Sequence, residues 1–67
     1  QGDMYIRLAS IELAHATGDG EGARVLTEAA KAKLLAAAAK IEDEARRASF
    51  LSRIPEHRRV LELAGSV

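Results

Sequence analysis

Apolar residues recur along this chain at spacings of three and four. Over residues 3–17, Met4, Leu8, Ile11 and His15 lie about one turn apart, and Ile6, Ala9, Leu13 and Ala16 fill the adjacent rows. Asp3, Arg7 and Ser10 gather on the other side, so the spacing predicts an amphipathic helix with a wide apolar face. Asp3 is placed to cap its start, where a negative charge suits the positive end of the helix dipole. The run TGDGEG at 17–22 interrupts the pattern, and Gly18 stands where a left-handed C-terminal cap is expected. A connection this short folds the next helix back antiparallel to the first.

The second helix is predicted over 21–41. Leu26, Ala30, Leu34, Ala37 and Ile41 make its main stripe, flanked by Ala29, Leu35 and Ala36, while Arg24, Glu28 and Lys31 are spaced for weak exposed pairs. The run LLAAAA at 34–39 admits close approach of other helices, so packing on more than one side is expected; helix-favouring filler is the alternative. Asp43 then caps a short third helix over 44–51. Pro55 rejects a helix interior but suits a first turn, which starts a fourth helix over 55–64 that Gly65 stops. Ile54 and Leu61 are expected to dock this helix. No segment alternates with period two, so no sheet is expected. The predicted fold is all-α, a single small domain over 1–67: an antiparallel helical hairpin followed by two short capping helices.

Composition bounds the picture. A chain of 67 residues buries roughly 60% of its unfolded surface, and without cysteine it has no disulfide to add stability. Ten acidic and ten basic residues cancel, which argues against a phosphate-gripping surface. No apolar run approaches the length that spans a bilayer, the first residues lack a signal-peptide pattern, and a cysteine-free chain suits a reducing cytoplasm. The chain opens on Gln1 rather than methionine, so a processed chain or a piece of a longer one is expected.

Candidate chemistry is sparse. Arg46, Arg47, Arg53, Arg58 and Arg59 with His57 invite a nucleic-acid reading. However, Glu42, Asp43, Glu44, Glu56 and Glu62 share the region, with Asp43–Arg47 and Arg58–Glu62 at helical pairing distance. Tyr5 and Phe50 are the only aromatics, too few for a base-stacking platform. His15 and His57 lack neighbours at metal-ligand spacing, and GDGEG lacks the lysine and hydroxyl of a phosphate loop and the length of a calcium loop. Ser10, Ser49 and Ser52 have no activating base in view. No catalytic, cofactor or metal residues are assigned, and the chain is read as no enzyme.

Gly18-Asp19 followed by Ala23 and Ala30 resembles the turn and second helix of a tetratricopeptide repeat, where small residues stand at the helix contacts. Leu35 stands where that repeat often has a proline, and only Tyr5 offers a large aromatic in the first helix. The later run carrying Ile41, Asp43, Arg47, Phe50, Leu51, Ile54, Pro55, Glu56, His57, Leu61 and Leu63 is similar to the segment that closes such regions in large bacterial signalling proteins. Those include ATP-binding regulators, kinase or cyclase fusions and transcriptional activators. The resemblance, over about residues 5–64, implies a last repeat with its cap, in which Phe50, Leu51, Ile54, Pro55 and Leu61 close the open end. Protein–protein interaction or self-association is the expected function, through Met4, Leu8, Ile11, Leu34, Ala37 and Ala38. A purely structural cap and a small helical DNA-binding module are the alternatives.

Overall fold

A computed structural model describes the backbone of residues 2–65 and the side chains of residues 4–65. Four helices follow one another: α1 (Gly2–Ala16), α2 (Gly20–Ala38), α3 (Glu44–Ser52) and α4 (Pro55–Leu63). No strand occurs among the described residues. The elements are those the apolar spacing predicts; the packing between them differs from expectation in two ways.

The α1–α2 turn is built from local chemistry. Gly18 takes the left-handed conformation (φ +80°), which a side chain would strain. Its N–H donates to the His15 carbonyl (3.1 Å), and the Asp19 N–H donates to Ala14 (2.8 Å). This bond pair satisfies the last carbonyls of α1. Asp19 then opens α2, its carboxylate accepting the Gly22 N–H at 2.9 Å. The sequence predicts a turn here, but the glycine pattern does not report this double use of Asp19. Asp3, expected as the α1 cap, lies inside that helix by its backbone, and its side chain falls outside the described residues.

α2 stops three residues before its expected end at Ile41. The N–H groups of Lys40 and Ile41 reach back only three residues, to Ala37 (3.2 Å) and Ala38 (3.0 Å), which tightens and closes the last turn. Asp43 occupies the cap position of α3 in extended conformation, but its carboxylate caps no N–H. It stands instead 3.6 Å from Arg46 Nε. Pro55 sits in the first turn of α4 as predicted, and Gly65 (φ +73°) ends that helix, its N–H donating to Glu62 at 3.0 Å.

Two clusters of neighbours fix the helix directions. Met4, Leu34, Ala37 and His57 surround one groove, and His15, Gly20, Arg24 and Leu63 surround another. The start of α1 therefore lies beside the end of α2, and α1 and α2 run antiparallel. By the same neighbours α4 runs along α1 in the same direction. Arg59 of α4 faces Glu12 of α1 midway along, Nε to Oε2 3.8 Å. α3 touches α2 and α4 but not α1 among the described residues.

The core joins Met4 and Ile11 of α1, Ala30 and Leu34 of α2, and Val60 and Leu61 of α4, with Leu8, Phe50, Leu51 and Leu63 packed at its edge. The first correction follows. α4 is not an end cap but a third core helix laid along the hairpin, and Val60, which the sequence reading passed over, is fully buried. The second concerns α2, whose buried stripe is Ala23, Thr27, Ala30, Leu34 and Ala38. Leu26 and Ala37 of the expected stripe are exposed, and Ile41 is half-buried beyond the helix. Small side chains let helix axes approach closely, so α1 and α4 both settle against the alanine side of α2. Thr27 fits there because its hydroxyl donates to the Ala23 carbonyl at 2.6 Å.

Candidate functional site

Two features stand out: a groove where α3 hands over to α4, and apolar rows on the outside of α1 and α2. The groove encloses about 390 Å³ and is lined by Met4, Lys33, Leu34, Ala37, Phe50, Ile54, Glu56 and His57. Its floor is apolar, and three polar groups of different character stand in its walls.

His57 is the best-positioned of these. The carbonyls of the last turn of α3 lack helical partners. His57 meets one of them, Nδ1 lying 2.8 Å from the Phe50 carbonyl oxygen. A carbonyl only accepts, so Nδ1–H is the donor in this bond. The His57 ring also packs on the Phe50 ring, with centroids 4.5 Å apart and planes tilted by 57°. These contacts hold an imidazole that is only 9% exposed. Among the described residues no side-chain nitrogen or oxygen sealed from solvent lacks a partner. Nε2, with no second bond within the chain, therefore keeps some contact with solvent, and His57 is one of the residues lining the groove. In the sequence His57 has no metal-ligand neighbours, and its burial is not anticipated there. The available signal was its place on the α4 stripe: His57, Val60, Leu61 and Ala64 follow i, i+3, i+4, i+7.

The residues expected to form an interaction face divide sharply. Met4, Ile11, Leu34 and Ala38 are buried within the chain and Leu8 is half-buried; only Ala37 is open. That face is covered by α4, because a hairpin alone leaves it to water and the nearest apolar partner is the chain's own last helix. Of the expected closing residues, Leu61 is buried, Phe50 and Leu51 are half-buried against the core, and Ile54 and Pro55 are exposed at the corner.

The apolar surface that remains lies elsewhere. Ile6, Ala9, Leu13 and Ala16 form a row on α1 opposite its core face, and Ile6 and Leu13 are 63% and 65% exposed. Tyr5 is equally open beside them. On α2, Val25, Ala29, Ala32 and Ala36 make an exposed row on the side away from the core, with Leu35 at its edge.

The expected arginine pairings shift by one residue: Asp43 faces Arg46 rather than Arg47, and Glu62 faces Arg59 (3.4 Å) rather than Arg58. Arg24 pairs with Glu21 at 3.3 Å instead of Glu28. These groups are mostly solvated, so each pair contributes little. No cluster of three or more metal-ligating side chains occurs among the described residues. Nor is any helix there long and apolar enough to cross a membrane. Comparison with protein-family models, curated proteins and solved structures finds no match to this chain.

Proposed function

We propose that this chain is a non-enzymatic, all-helical interaction module of tetratricopeptide type, which joins a protein partner or a second copy of itself within a larger cytoplasmic regulatory protein of bacteria. The observation that carries the reading is the outer row of α1, where Tyr5, Ile6 and Leu13 stay largely exposed although the core is already filled. A few large apolar side chains gathered on one helix face are characteristic of surfaces that bind protein. The interaction surface is thus moved from the Met4/Leu8/Ile11 face to its opposite side. The Gly18-Asp19, Ala23 and Ala30 pattern and the Phe50-to-Leu63 segment support the repeat-type reading.

Light scattering across a concentration range tests it. An interaction through this row raises the mass with concentration, or on addition of the parent protein's other segments, with little change between low and high salt. The double variant Ile6→Glu/Leu13→Glu should abolish the association and leave helicity intact. Association unchanged by the variant, or association that falls steeply with salt only in the presence of DNA, refutes the reading.

A further inference from the structure

The outer row of α1 carries the shape of its own partner. Resting on the interaction reading above, we propose that this row binds a second copy of the chain, with the two α1 helices antiparallel about a two-fold axis level with Ile11. Ile6, Ala9, Leu13 and Ala16 follow i, i+3, i+7, i+10, the spacing of the two seam positions of a heptad repeat. Both large side chains fall at one seam position and both alanines at the other. When such seams are laid antiparallel, each position meets the other kind on the opposite helix. An axis level with Ile11 sets Ile6 on Ala16 of the second copy and Leu13 on its Ala9, and both contacts recur beyond the axis. Every layer then holds one large and one small side chain, so the seam fills evenly with the same patch on both copies. Parallel helices would instead set Leu13 on Leu13 and Ala9 on Ala9, alternately crowding and emptying the layers. A shift by one heptad would lose half of the large–small layers.

The rest of the face suits burial. Ser10 and Thr17 flank the seam, and their hydroxyls already donate within the helix, to the Ile6 carbonyl (3.2 Å) and the Ala14 carbonyl (3.1 Å). Covering them leaves no donor without a partner. The seam itself holds no charged side chain, and Glu12 at its border is faced by Arg59 at 3.8 Å. Tyr5, Ile6 and Leu13 are each about two-thirds exposed. With the two alanines they show roughly 500 Å² per copy, so a pair covers about 1,000 Å², the size at which specific interfaces begin. That area fits a dimer with a Kd of about micromolar or weaker. The exposed row of α2 is a poorer mate, since Val25, Ala29, Ala32 and Ala36 bring no long side chain to fill the alanine layers. A contact of α1 on α2 would also join unlike faces and build open chains rather than pairs.

Sedimentation equilibrium of the 67-residue chain, at concentrations up to about 1 mM, reads the mass. The expected result is a reversible equilibrium that ends at two copies. In a symmetric pair each substitution acts twice: Ala9→Leu sets leucine against leucine, and Leu13→Ala sets alanine against alanine. Each should raise the dimer Kd about tenfold or more. The double variant Ala9→Leu/Leu13→Ala exchanges the two sizes, rebuilds a large–small layer and should recover the original Kd within about threefold. Both positions are exposed, so circular dichroism should show all three variants folded. A chain that stays monomeric overturns the inference, and so does growth beyond two copies. Tighter association of Ala9→Leu, which parallel or unspecific apolar contact would give, overturns it too, as does a double variant weakened as much as the single ones together. The interaction reading is judged separately. It survives a monomeric chain if Ile6→Glu/Leu13→Glu loses binding to the parent protein's other segments, and it fails with the inference if that variant leaves every association intact.

Discussion

Leu26 and Leu34 carry the same side chain on the same helix, and hydrophobic spacing assigns them to one stripe. The structure separates them: Leu34 is 1% exposed inside the α1–α2–α4 core, and Leu26 is 40% exposed. Replacing each by alanine therefore isolates the rotation of α2. Three carbons removed from full burial at about 0.8 kcal/mol each cost about 2.4 kcal/mol at position 34. An unrelaxed cavity of roughly 70 Å³ adds about 1.7 kcal/mol at 24 cal/mol per Å³, so Leu34→Ala should cost about 3–4 kcal/mol after allowance for partial collapse. At position 26 no cavity forms and part of the side chain is already in water, so the same change should cost about 1 kcal/mol. A domain of this size is stable by only about 3–10 kcal/mol. Leu34→Ala should therefore remove about a third or more of that stability, whereas Leu26→Ala should melt only about 4–8 °C lower. Urea unfolding followed by circular dichroism at 222 nm measures both. Values within about 0.5 kcal/mol of each other, or a larger cost at Leu26, would refute the placement of the core stripe.

Three further outcomes follow from named contacts. Gly20→Ala meets no atom within 4 Å and should stabilise by about 0.5 kcal/mol, whereas Gly22→Ala drives a Cβ against the Asp19 side chain (2.7 Å from Cγ), disrupts the cap and should be neutral or destabilising by about 1 kcal/mol. Thermal melts of the pair check the contrast, and equal stabilisation would remove the Asp19 cap. Arg59→Gln breaks pairs with Glu12 and Glu62 that are about half solvated, so it should cost less than about 1 kcal/mol and the loss should vanish in about 1 M salt; a larger or salt-independent loss in denaturant titrations would contradict this. Ending the chain after Ser52 strips Val60 and Leu61 from Ile11 and Leu34 and should abolish cooperative melting of α1 and α2; retained melting would show that α4 is no part of the core.

How far the sequence could be read depended on the kind of signal. Gly18, Pro55 and Gly65 mark helix ends by backbone chemistry, and the structure places ends where they stand. The rotation of α2 was not legible, because alanine suits a buried and an exposed face alike. Four consecutive alanines at 36–39 give the helix no strong direction of its own. Its direction comes from α1 and α4 together, tertiary partners that short-range spacing does not report. The burial of His57 was legible in principle from the α4 stripe, but its cause was not, since the Phe50 carbonyl that it meets belongs to another helix.

The direction of α4 has a consequence for synthesis. α1 and α2 are made before the residues that cover their apolar faces, Val60 and Leu61, have been added. At elongation rates of about 5–20 residues per second, the stretch from Ala38 to Leu61 takes roughly one to five seconds to make. Through that interval the α4 core face that covers Ile11 and Leu34 is unfinished. The order of the helices thus keeps the core incomplete until α4 is made, for a time that translation speed sets. Codon choice across residues 39–61, which leaves the finished protein unchanged, thereby sets how long the core waits for its third helix.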